Sequence, residues 1–129
     1  MNAKTIVAVG LGGTIGAISR YGIALAIPLE KATFPYATLI ANLIGCLLLS
    51  YVLNRSVIKE KIGNTTFTAL TTGVIGSFTT FSTFAVETVT LFQTNIILSS
   101  IYVFSNMLGG LLFCFLGYKV ASIQRRATV

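Results

Sequence analysis

Several residues that can do chemistry stand inside stretches of this chain that are otherwise oily. Asn42 lies among Leu39, Ile40, Leu43 and Ile44. An amide in such a setting either ties neighbouring helices together or offers its two N–H donors to an anion in place of water. The string Gly73-Val-Ile-Gly76-Ser-Phe-Thr-Thr-Phe-Ser-Thr-Phe84 is odd for a helix interior, because Thr is β-branched and its hydroxyl competes with the backbone ladder. It predicts a helix break, and carbonyls freed at such a break can ligate a small cation. Phe81 and Phe84, at i and i+3, share a face. A ring has a positive edge, so this pair either contacts a dehydrated anion edge-on or packs against lipid or a helix. Tyr102, Asn106, Gly110 and Cys114 recur every four residues, with Ser99 and Ser105 nearby. That face reads as a ladder of donors along a pore or as a packing seam of small residues. Arg20 follows Gly12, Gly13 and Gly16. It either snorkels or pairs structurally, or it attracts an anion at a vestibule. Glu87, one turn beyond Phe84, reads as a gate or proton-handling group, a partner for Arg20, or a residue near the interface.

The elements that position these residues follow from the charges. Of 129 residues, 54% are hydrophobic and 9% charged, with a mean hydropathy of +0.87. A soluble domain carries about 25% charged residues, and disordered chains are polar and highly charged. Both classes are excluded, which leaves an integral membrane protein. Charge-free intervals run over 32–54, 62–86 and 88–118, and a fourth over 5–19 extends to Ile27 if Arg20 lies within the membrane. A spanning helix needs roughly 20 mostly apolar residues. The expectation is an all-α membrane protein forming one domain over 1–129, with helices at about 4–27, 36–54, 66–93 and 97–120. Runs such as Leu47-Leu48-Leu49 do not alternate as spanning strands do. The Thr-rich string falls near the middle of the third helix, which places the break near mid-membrane. Irregular backbone at that depth is tolerated where it is buried in protein or lines a cavity.

The links are short: Pro28 to Pro35, the charged segment Arg55 to Thr65 with its Gly63-Asn64 turn signal, and Gln93-Thr94-Asn95. The first helix reads as retained rather than as a signal peptide, because no small-x-small cleavage site follows it. Cys46 and Cys114 lie inside spans and suggest neither a disulfide framework nor a metal site. With four spans, one side holds Lys4, Arg55, Lys59, Lys61, Lys119, Arg125 and Arg126, while the other holds Lys31. The positive-inside rule then puts both termini in the cytoplasm. Topology and anionic lipid account for the net charge of +6, so no nucleic-acid partner is needed. With no His, no Asp and no phosphate loop, an enzyme is not expected.

The ordered strings GGTIGAISRY at 12–21, TLIANLIG at 38–45 and GVIGSFTTFSTFAVE at 73–87, with the fourth-helix face ending near Gly117, span nearly the whole chain. In them the chain resembles the Fluc family of small bacterial fluoride channels. The resemblance implies an antiparallel dimer of four-helix subunits in the bacterial plasma (inner) membrane, with two fluoride pores. It implies a structural sodium ion on the two-fold axis, held by the backbone carbonyls of Gly76 and Thr79. It puts Asn42, Phe81, Ser82, Thr83, Phe84, Tyr102 and Asn106 in the fluoride path and Arg20 at its vestibule. Gly110 and Cys114 stand where the family often has hydroxyl residues, which puts the inner part of the polar track in doubt. The charge bias also departs from the balanced charge of many members. The partner is therefore a second copy, or an oppositely oriented paralogue in a heterodimer.

The function so implied is passive export of cytoplasmic fluoride, which lowers its toxicity. The competing transporter is a proton-coupled small multidrug exporter. Such a protein needs a carboxylate that trades a proton for a cationic drug, usually on the first helix; here that helix has no acid and Glu87 stands late on the third. A scaffold subunit, the other alternative, gives no reason for the Thr-Thr-Phe-Ser-Thr-Phe string.

Overall fold

The computed structural model describes residues 2–27 and 34–126, and every regular element among them is helical. In chain order these are α1 (Ala3–Ala26), α2 (Tyr36–Leu53), α3 (Ser56–Thr68), a π-helical segment (Ala69–Ile75), the single turn α4 (Gly76–Phe78), α5 (Phe81–Thr94) and α6 (Ile96–Arg126). Four stretches are long and apolar enough to cross a bilayer: Ala3–Ala26, Tyr36–Leu53, Ser56–Thr94 and Ile96–Gln124. Pro28 and Lys31, used above for the first link and the charge count, lie outside the described residues.

Polar side chains set the ends. The Asn2 carboxamide accepts from the Thr5 backbone N–H at 2.9 Å and starts α1. At the other end Ile27 is extended (φ −106°, ψ 109°), as suits the residue before a proline. Asn95 alone separates α5 from α6, so the third link is shorter than the three residues expected. Its side chain accepts from the N–H groups of Ile97 and Leu98 at 3.0 and 3.1 Å.

The segment from Arg55 to Thr65 corrects the sequence reading. It is helical from Ser56 onward rather than a loop. Lys59, Glu60 and Lys61 do face solvent, but water does not forbid a helix, and Lys and Glu are good helix formers. The turn signal persists as a bend inside α3, where Gly63 sits at φ +74° and ψ 164°, a conformation that favours glycine.

Between helices in lipid there is no hydrophobic drive, so close packing must come from small residues. A Cβ on Gly12 would stand 2.6 Å from the Ala69 carbonyl oxygen, and one on Gly73 2.6 Å from that of Val9. A Cβ on Gly16 would collide with the Val74 carbonyl. The Gly12 and Gly16 pair therefore seats α1 directly on the backbone of the π-helical segment. Similarly, Gly109 and Gly117 of α6 face Leu43 and the Leu47 carbonyl of α2. The outward faces carry exposed apolar residues such as Leu11, Leu25, Phe104 and Leu111, which suits a hydrocarbon surround. Hydroxyls within the spans satisfy themselves on carbonyls one turn back, as Ser19 does on Ile15 (2.9 Å) and Thr88 on Phe84 (2.7 Å).

Candidate functional site

Helical geometry stops at Phe78 and resumes at Phe81. Between them Thr79 (φ −81°, ψ 159°) and Thr80 (φ −148°, ψ 125°) are extended. An unbroken helix would bond the Thr80 N–H to the Gly76 carbonyl and the Thr83 N–H to the Thr79 carbonyl. Neither bond forms. The Thr80 N–H donates to Asn42 Oδ1 at 2.9 Å, and the Thr83 N–H donates to Thr80 Oγ1 at 3.2 Å, capping α5. Asn42 Nδ2 returns a bond to the Thr80 carbonyl at 3.1 Å. One amide thus grips both backbone groups of one residue. The carbonyls of Gly76 and Thr79 are among those that lose their usual helical partners at the break. The Gly76 oxygen keeps a long 3.4 Å contact from the Thr79 hydroxyl, which is nearer the Ile75 carbonyl at 3.2 Å.

The second Nδ2 hydrogen of Asn42 points to Asn106 Oδ1 at 3.3 Å, and Asn106 Nδ2 donates to the Tyr102 carbonyl at 3.1 Å. Both Asn42 donors are engaged within the protein. The longer bond, to Asn106, is the one an anion can displace at least cost.

Beside this network runs an open groove of about 370 Å³. Its lining includes the polar residues Asn42, Asn106, Thr79 and Thr80 and the larger apolar residues Phe81, Phe84 and Met107. Gly45, Cys46, Leu49 and Cys114 also line it, and among the described residues no charged side chain does. The Phe81 and Phe84 rings stand 5.9 Å apart and tilted by 49°. Phe81 is 80% exposed, so the groove opens outward beside that ring. Phe84 in turn meets Tyr102 at 5.3 Å.

Tyr102 is fully buried, and its hydroxyl donates to Glu87 Oε2 at 2.6 Å. Thr38 Oγ1, also buried, donates to Glu87 Oε1 at 3.0 Å. The structure therefore pairs Glu87 with two hydroxyls, not with Arg20. The Arg20 Nε is buried and has no hydrogen-bond partner.

Of the residues singled out from sequence, Asn42, Thr79, Phe81, Phe84, Asn106 and Cys114 meet at the groove. Arg20, Gly76, Ser82, Thr83, Glu87 and Tyr102 lie off its lining. Ser82 is exposed, with its hydroxyl 3.3 Å from that of Thr80, and Thr83 Oγ1 accepts from Thr80 Oγ1 at 3.0 Å. Thr80 itself was missed. Its signal was available, since a Thr three residues before another polar residue is an N-cap spacing. No group of three or more His, Cys, Asp or Glu among the described residues can hold a metal ion.

These features define a class: a small, all-helical protein with four candidate spans and an uncharged groove lined by amides and rings. The sequence profile described as CrcB-like protein, Camphor Resistance (CrcB), matches residues 7–118. The chain belongs to this family and is a multi-pass membrane protein. It is 43% identical over 126 residues to fluoride-specific ion channel FluC 1 of Bacillus cereus, covering 93% of this chain and 89% of that protein. It is 42% identical over 107 residues to FluC 1 of Desulfitobacterium hafniense, covering 82% and 93%. To fluoride-specific ion channel FluC of Chlorobium phaeobacteroides it is 34% identical over 116 residues, covering 89% and 91%.

Proposed function

We propose that this chain is the subunit of a fluoride-specific ion channel that exports cytoplasmic fluoride passively. It is not an enzyme. The observation that carries this reading is the groove, whose lining holds the Asn42 and Asn106 amides and the Phe81 and Phe84 rings, with no charged side chain among the described residues. A Lys or Arg deep in the path would bind any anion tightly and slow its exit. Neutral donors and the positive edges of Phe81 and Phe84 replace part of an anion's hydration without trapping it. The relatives named as fluoride-specific ion channels support the choice of ion.

The direction follows from weak-acid chemistry. Neutral HF crosses lipid from an acidic exterior and ionises in the cytoplasm, and the anion cannot leave unaided. An inside-negative potential drives it out with about 2.3 kcal/mol per charge per 100 mV. The location in this reading is the bacterial inner membrane, with the break at Thr79–Thr80 near mid-membrane. That depth is consistent with extended backbone lining a cavity.

The conducting unit in this reading is an antiparallel pair, because a groove open on one side needs a second wall. The complete set of Asn42, Phe81 and Phe84 favours two copies of this chain, whereas the one-sided charge favours an opposed paralogue. The carbonyls of Gly76 and Thr79 would hold a structural sodium ion. Brought together at a two-fold axis, these two carbonyls from each chain would make a set of four hard oxygen donors, which suits a small cation. The ion would supply a buried positive charge near the paths.

The deciding experiment is an electrode trace of fluoride and chloride release from proteoliposomes. Fluoride should leave and chloride should stay. Equal release of both, or release of neither, overturns the reading. Topology tagging beside the same assay, on this chain expressed alone, decides the partner. Dual insertion with flux means a homodimer, and a single orientation without flux means an opposed paralogue.

A further inference from the structure

The groove lining includes two thiols whose metal-binding chemistry the fluoride reading does not call on. Cys46 comes from α2 and Cys114 from α6, and both are free and partly exposed. The Cys114 thiol reaches the Cys46 carbonyl at 3.6 Å. One turn before Cys114 stands Gly110, where a Cβ would be 3.5 Å from the Cys46 sulfur. The Cys46 sulfur thus points at α6 across a position without a side chain, and both cysteines line the groove.

We propose that Cys46 and Cys114 form a two-coordinate site for a soft divalent metal ion of the mercuric type, and that filling it blocks the groove. Thiolates select soft ions. The reaction is M²⁺ + 2 RSH → RS–M–SR + 2 H⁺. Two metal–sulfur bonds form, two S–H bonds break, both protons leave to water, and no oxidation state changes. The adduct is neutral, so a largely apolar wall holds it without the cost of a buried charge. A monovalent soft ion would leave a net negative charge there. Zinc favours four ligands, and no third Cys, His or carboxylate completes a set among the described residues. Blockage, but not binding, rests on the groove being the fluoride path.

The test uses the purified full chain loaded with one equivalent of mercuric ion. Both thiols should disappear from titration. Challenge with a monothiol should strip Cys46→Ser and Cys114→Ser at roughly 100-fold lower concentration than wild type, the advantage of a chelating pair. Cys→Ala variants repeat the comparison in case Ser disturbs packing. In proteoliposomes, fluoride release from the loaded wild type should fall to background and return when a dithiol removes the metal. The double variant should ignore mercury. Wild type stripped as readily as the single variants overturns the paired site, and unchanged release with the metal in place overturns the blockage. An untreated chain that passes no fluoride counts against the channel reading, while metal retention still decides the site.

Discussion

Replacing Asn42 with Ala removes the acceptor of the Thr80 N–H (2.9 Å) and the donor to the Thr80 carbonyl (3.1 Å). It also removes the weaker bond to Asn106 (3.3 Å). Interhelical hydrogen bonds in membranes average about 0.6 kcal/mol and reach about 1.7. The two bonds to Thr80 therefore hold that peptide by about 1–3 kcal/mol, and opening it should become roughly 5- to 150-fold more frequent, at tenfold per 1.4 kcal/mol. The assay is amide hydrogen exchange in lipid nanodiscs. The Thr80 amide should lose protection by that factor, while amides in the middle of α6 change little. Of the Asn42 bonds Asn106→Ala breaks only the longest, along with its own bond to the Tyr102 carbonyl, and it should move Thr80 exchange by less than threefold, about 0.6 kcal/mol. Fluoride efflux should fall in Asn42→Ala along with Thr80 protection, because the groove wall and the released carbonyls depend on the same grip. Unchanged Thr80 exchange in Asn42→Ala would refute the reasoning, since the backbone would then hold its shape without the amide.

Gly45→Ala drives a methyl into Thr79 Cγ2 and should cost about 1–3 kcal/mol by overpacking. Thr79→Ser lacks that carbon and should restore part of the loss in an unfolding titration. Gly16→Ala meets the backbone carbonyl of Val74, which no side-chain change can clear, whereas Gly10→Ala meets nothing within 4 Å. The first should reduce the yield of folded protein and the second leave it unchanged, as gel filtration will show. Phe81→Ile and Phe84→Ile each remove a ring edge from the groove and should abolish fluoride efflux without changing oligomer size. Normal efflux in both variants would dismiss the ring-edge mechanism.

Much of the architecture was legible because charge is costly in lipid, so charge gaps mark spans. The gap 32–54 encloses α2 and the gap 88–118 covers most of α6. Surface charge misled only at 55–65, where it signals water and says nothing about helicity. Composition drew attention to Asn42 and to the Thr-rich string separately. It could not join them, since the Asn42–Thr80 bond spans 38 positions and depends on how α2 lies against the break. Glu87 shows the same limit. Its ionisable nature was plain, but Thr38 and Tyr102 reach it from 49 and 15 positions away, and no local pattern records such meetings.

The glycine contacts described above divide the subunit mechanically. α1, the π-helical segment and α4 are fused backbone to backbone, while α2 packs chiefly on α6 and α5 also leans on α6. One passage of the chain from the first body to the second is at Thr79 and Thr80, where the Asn42 amide holds both backbone groups of Thr80. A small rocking of one body on the other would bend the chain there. The Gly76 carbonyl would travel with the first body and Phe81 with the second, so one hinge would set both the spacing of the released oxygens and the width of the groove.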